Sequence, residues 1–118
     1  MKPLAAFSTS VVYTFGENVY TTEVENALYQ HPAVESCAVI GIPSEKWGES
    51  VHAILVLHAG TSATEQEVME FCKERLAGYK CPRSMEFRTA PLPLSGAGKI
   101  LKSELRKPFW EGKTKHMN

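Results

Sequence analysis

No run of apolar residues in the 118-residue chain approaches the roughly 20 that a membrane-spanning helix needs, so no helical span is expected within these residues. There is no excess charge of either sign: 13 basic residues balance 13 acidic ones. No global field draws nucleic acid or an anionic membrane to this chain, so any anion has to be gripped by a local cluster. Cysteine is scarce. Cys37, Cys72 and Cys81 fit neither a zinc ribbon nor a C-x-x-C redox pair, and an odd, scattered set points to reduced thiols in a cytoplasmic protein. No two of the four histidines have metal-ligand spacing. Internal repeats and low-complexity tracts are also lacking. Met1 to Phe7 opens like a secretory leader, but Pro3 and Ser8-Thr9-Ser10 break the apolar core that a leader requires.

What is present is the composition of one ordinary globular domain, 43% apolar and 22% charged. A chain of this size buries about 65% of its unfolded surface, enough to fold alone. Residues 1–15 show no clear period. Thr22 with Glu25, and Thr64 with Glu67, have the spacing of capping boxes that open helices. Val24, Ala27 and Leu28 share one face of the first helix, and His31-Pro32 ends it. Val68, Phe71, Cys72 and Leu76 form the stripe of the second, with Gly78 as its cap. The apolar runs Val34–Ile42 and Val51–Leu57 read as buried strands, and Ser84–Arg88 as a short third one. Leu101, Leu105 and Phe109 recur every four residues in a last helix that Pro108 should stop. The expectation is an α+β domain, a small three-stranded sheet with flanking helices, occupying residues 16–110, with a flexible tail over 111–118.

Two glycine-bearing loops stand out, Gly16-Glu17-Asn18 and Leu94-Ser95-Gly96-Ala97-Gly98-Lys99. The second is not a P-loop: Pro93 stands at the first glycine and Ile100 at the magnesium-binding hydroxyl. Nor is it a dinucleotide fingerprint, because Leu101 sits at the third glycine. What remains is a lysine on a glycine arm, a point charge able to reach an anion in a neighbouring site. On its own such a lysine is ordinarily a solvated surface residue.

The order of the whole set says more. Gly16-Glu17-Asn18-Val19-Tyr20 is followed by Glu23-Val24-Glu25, His31-Pro32-Ala33-Val34, Ala38 to Pro43 and Lys46-Trp47-Gly48-Glu49. Then come Gly78-Tyr79-Lys80-Cys81-Pro82-Arg83 and Leu94 to Lys102. This series resembles the C-terminal lid domain of the adenylate-forming superfamily, nearest to fatty-acid and aryl-acid CoA ligases. Such enzymes join a carboxylic acid to ATP, releasing pyrophosphate, and then pass the acyl group to CoA. Their small domain swivels to offer a different face to each step.

The resemblance implies roles. Lys99 is the lysine of the first step, where a cation between a carboxylate and an α-phosphate offsets their repulsion. Gly16, Glu17 and Asn18 line the pantetheine channel in the second. Trp47, Tyr79, Lys80 and Arg83 face the CoA nucleotide, an aromatic ring on adenine and cations on its phosphates. ATP and CoA are substrates of the complete enzyme, and Mg²⁺ accompanies ATP without being held by this domain. The implied partner is a large N-terminal adenylation domain that binds the acid. The chain alone should not turn over. The alternative is a stand-alone, non-catalytic CoA-binding or docking module derived from such a ligase. The sequence departs from the family's pattern at three places. Val11 to Phe15 replaces the usual hinge, with no carboxylate and with Phe15 at an expected glycine. Thr21 stands at a common proline, and Cys81 at a basic position.

Overall fold

The computed structural model describes residues 11–14, 16–44, 48–96, 98 and 100–111. Strands β1 (Val11–Thr14) and β2 (Glu17–Tyr20) precede helix α1 (Thr21–Tyr29). Strands β3 (Val34–Ser44) and β4 (Gly48–Leu57) follow, then helix α2 (Glu65–Lys73) and a 3₁₀ turn, Gly78–Lys80. Strand β5 (Ser84–Arg88) and helix α3 (Lys102–Trp110) complete the chain.

The architecture is α+β, as expected, but the sheet has five strands rather than three. β1 and β2 are four residues each, too short for a period to show in the sequence. They form an antiparallel hairpin with Val12 opposite Val19 and Thr14 opposite Glu17. Antiparallel β3 and β4 are the backbone of the sheet, paired from Val34↔Leu57 to Ser44↔Gly48 with one register shift between Val34 and Ser36. The other edge of β4 is shared: β1 meets it at Thr14↔Gly48, and β5 runs parallel to it from His52↔Ser84 to Val56↔Arg88.

The central stretches of β3 and β4, residues 37–42 and 51–57, are apolar apart from His52 because both faces of the sheet are covered there. On one face Cys37, Val39, Val51, Ala53 and Leu55 pack with Val24 and Leu28 of α1 and with Val68 and Cys72 of α2. On the other, Ala38, Ile40, Ile54 and Val56 pack with Leu92 and with Leu105 of α3. The period of two thus sorts one continuous apolar run into two cores. Each fully buried Val, Leu or Ile there contributes roughly 1.5–3 kcal/mol.

The capping box at Thr64 forms as read: its side chain accepts from Glu67 N at 3.1 Å, and Glu67 accepts from Thr64 N at 2.9 Å. The box at Thr22 does not form. α1 begins at Thr21, two residues before a cap at Thr22 would open it, its N-cap is Tyr20 without a side-chain bond, and Glu25 is turned into the interior. α2 ends at Lys73, so Gly78 opens the 3₁₀ turn instead of capping the helix. Pro108 lies inside α3, which runs on to Trp110. At that point the helix is held by Leu105 and Phe109 on the second core and by Trp110 Nε1, which donates to Gly41 O at 2.8 Å.

The free edge of β3 is capped by side chains, the usual protection for an exposed row of peptide groups. Cys37 N donates to Tyr29 Oη at 3.3 Å, Val39 N to Glu25 Oε2 at 2.9 Å, and Gly41 O accepts from Trp110. Gly41 also has no room for a side chain. A Cβ there would meet Glu49 Oε1 at 3.0 Å and Val12 Cγ2 at 3.2 Å. Gly41→Ala is expected to cost about 1–3 kcal/mol through overpacking, read as a lower urea midpoint at unchanged slope.

Candidate functional site

The segment leading to Lys99 is a closed hairpin. Leu94 and Ile100 form an antiparallel bridge, Gly98 N donates to Ser95 O at 2.9 Å, and Leu101 N donates to Pro93 O at 2.9 Å. Gly98 adopts φ +84°, a conformation that side chains disfavour, which explains a glycine immediately before the lysine. The hairpin is rooted at both ends in the second core, through buried Leu92 and partly buried Ile100. Lys99 itself lies outside the described residues.

Gly16 has φ +74° in the turn of the β1–β2 hairpin. The register pairs Thr14 with Glu17 and Tyr13 with Asn18, which leaves a two-residue turn of a kind that calls for positive φ. Gly16, Glu17 and Asn18 are all exposed. On the same face of the hairpin Val11, Tyr13 and Tyr20 are about half exposed, at 47%, 55% and 51%. The face opposite carries Val12 and Val19, both buried in the first core.

Tyr79, Lys80 and Arg83 come together on the segment between α2 and β5. Tyr79 is half-buried against the first core. Lys80 Nζ reaches both carboxylate oxygens of Glu23, at 3.0 and 3.2 Å, and lies 5.7 Å from the Tyr79 ring centre. The hydrogen bond that it donates to Glu23 pushes the Lys80 ammonium above its ordinary pKa, keeping it charged. Arg83 is exposed, and its backbone N donates to Val51 O at 2.8 Å. Trp47, the fourth member of this set, lies outside the described residues. The tryptophan with a defined place is Trp110, on the β3 edge.

Sequence reasoning missed the charged groups that tie these parts together. Lys102 Nζ lies 2.7 Å from Glu25 Oε2 and donates to Thr21 Oγ1 at 3.0 Å. The Glu25 and Lys102 side chains are 9% and 14% exposed, so Lys102 is not on a solvated face. Thr21, in place of a proline, supplies a hydroxyl that proline lacks. Thr21 and Glu25 are four residues apart and share one side of α1, whereas Glu23 projects from the other. The first turns of α1 therefore hold Lys102 on one side and Lys80 on the opposite one. Glu49, from the Lys46-Trp47-Gly48-Glu49 motif, accepts from Tyr13 N at 2.9 Å and pairs with Arg106 at 3.8 Å. It fastens β1 to α3. The only signal for any of these residues was their place inside a motif.

The histidines and cysteines described serve the structure. His52 is buried between Ser84 Oγ, 2.7 Å from Nδ1, and the Phe109 ring at 4.9 Å. Burial lowers its pKa, against the pull of Glu86. His31 Nδ1 accepts from Ala33 N at 3.1 Å. Cys37, Cys72 and Cys81 are unpaired and buried. Burial pushes all three thiols up, Cys72 to about 11, which leaves no reactive thiolate. Among the described residues no three His, Cys, Asp or Glu side chains are placed to hold a metal, and no helix is long and apolar enough to cross a membrane.

The sequence model of the family described as "AMP-binding enzyme C-terminal domain" matches residues 23–99. A feruloyl-CoA synthase of Amycolatopsis sp. is 48% identical over 99 residues, covering 84% of this chain and 20% of that protein. A fatty acid–[acyl-carrier-protein] ligase of Streptomyces coeruleorubidus is 41% identical over 103 residues, covering 87% and 20%. Among solved structures, a Mycobacterium tuberculosis fatty acyl CoA synthetase superposes with a TM-score of 0.78 at 41% identity, over 86% of this chain and 20% of that one. The chain thus spans about a fifth of the length of the relatives it matches. With the family's pattern running through residues 23–99 and the same fold in a solved relative, the chain belongs to the AMP-binding enzyme C-terminal domain family.

Proposed function

We propose that residues 16–110, entered through β1, are the lid of an ATP-dependent acid–CoA ligase and serve its two half-reactions in turn. The observation that carries this is the likeness, over more than four-fifths of the chain, to enzymes whose names state acid–thiol ligation. The geometry supports it. The rooted hairpin at Leu94–Ile100 carries Lys99 as the cation that aligns carboxylate and α-phosphate during adenylate formation. Gly16 in the hairpin turn, with exposed Glu17 and Asn18 at the start of β2, faces the pantetheine arm, and Tyr79, Lys80 and Arg83, with Trp47, receive the CoA nucleotide. A large N-terminal domain supplies the acid pocket and most of the ATP site, with Mg²⁺ entering on ATP. Three unpaired thiols suit a reducing, cytoplasmic setting.

The CoA face is tested on the chain itself. Titration with CoA, followed by amide chemical shifts, is expected to move Tyr79, Lys80 and Arg83 with weak affinity, and Trp47→Ala and Arg83→Ala each to weaken the response. Shifts confined to the α3 side, or unchanged in both variants, would remove the nucleotide patch and favour a carrier-protein thiol as acceptor, as in the Streptomyces relative.

A further inference from the structure

We propose that Glu25 and Lys102 form a positioning clamp for the hairpin that carries Lys99, an inference that rests on Lys99 being the adenylation lysine. Two opposite charges this deeply buried are costly to desolvate, and apolar residues of similar size commonly stabilise a fold as well or better. Stability alone therefore gives little reason for the pair. Its geometry is that of a device for register. Glu25 Oε2 is held by Val39 N at 2.9 Å, on the free edge of β3. Lys102 Nζ is held by Glu25 at 2.7 Å and by Thr21 Oγ1 at 3.0 Å. α1 packs on one face of the sheet and α3 on the other, so the pair joins the two helices around the β3 edge.

Lys102 is the first residue of α3 and stands three residues after Lys99. Three residues span at most roughly 10 Å of chain, so the fixed ammonium at 102 is close in sequence to the hairpin tip. The preceding residue, Leu101, closes the hairpin through its bond to Pro93 O, and Ile100 is seated in the second core. The apolar anchors set depth, while the ion pair sets rotation and register, which apolar contacts leave loose. Lys102 touches neither substrate in this reading and acts through the hairpin.

Three variants test the clamp, in the chain itself and in the chain joined to a large adenylation domain. Lys102→Met should speed exchange of the Leu101 amide about tenfold more than that of Ile54 in the sheet. It should also lower kcat for adenylation by roughly 10²-fold, the scale of a small misplacement, with KM for ATP and acid held within about twofold. Glu25→Gln/Lys102→Met removes both charges and keeps an acceptor for Val39 N. It should regain thermal stability without regaining hairpin protection or kcat. Lys102→Arg should restore part of both. A stable double variant that protects Leu101 and adenylates at the parent rate would overturn the clamp. Lys99→Ala at the parent rate would instead remove the reading of Lys99, and the clamp's catalytic role with it.

Discussion

Lys99→Ala, in this chain joined through a hinge to a matching large domain, is expected to lower adenylate formation by about 10²-fold or more, the scale for losing one transition-state charge contact. Transfer from presynthesised acyl-adenylate to CoA should be largely spared, because a lid that has turned presents its other face. Single-turnover measurement of each half-reaction separates the two. Lys107→Ala is the suitable control: Lys107 is exposed and pairs only loosely with Glu104, at 3.5 Å. Lys102 cannot serve, since it belongs to a buried pair. Gly16→Trp should show the opposite pattern by obstructing the pantetheine path. Gly16 has φ +74°, so any side chain there also carries backbone strain. Gly16→Asn, which tolerates that conformation better, measures the strain without the bulk. Equal loss of both half-reactions in Lys99→Ala would assign the residue to folding, and no loss in either would make it a solvated surface lysine.

Glu25→Ala is expected to destabilise the chain by about 3–5 kcal/mol, the usual result of removing one partner from a buried ion pair. The buried Val39 amide loses its acceptor, and the Lys102 ammonium keeps Thr21 Oγ1 but loses its counter-charge. For a domain that is marginally stable this is a large share of the total. Glu23→Ala, two residues earlier on the same helix, should leave the melting curve almost unmoved, because the Glu23–Lys80 pair is at the surface. Denaturant melts of the two variants side by side check the contrast. Equal effects would show that the depth of Glu25 does not decide its contribution.

The two glutamates also show what a sequence conceals. Thr22-x-x-Glu25 and Thr64-x-x-Glu67 have the same spacing, yet only the second is a capping box. The difference lies in distant partners: Glu25 is claimed by Val39 and Lys102, while Glu67 has no such claim and bonds back to its own helix. Pro108 is a similar case. Locally it is a helix breaker, but Phe109, packed on the second core, and Trp110, bonded to Gly41 O, hold the turn that follows it.

Signals that depend on near neighbours were legible in the sequence. Continuous apolar runs marked the long strands β3 and β4, and periodicity marked the stripes of α1 and α2 and the Leu105 face of α3. Ordered motifs identified the family and singled out Gly16 and Gly98, both of which take positive φ. Each of these rests on contacts a few residues apart, which sequence order preserves. The tertiary structure alone decided which edge of β4 takes β1 and β5, how one apolar run divides into two cores, and which charges are buried. Thr21 and Lys102 lie 81 residues apart, and Lys80 and Glu23 lie 57 apart. No local pattern selects such partners, because the choice among many lysines and glutamates is made only when the sheet brings two helices to one edge and excludes water from between them.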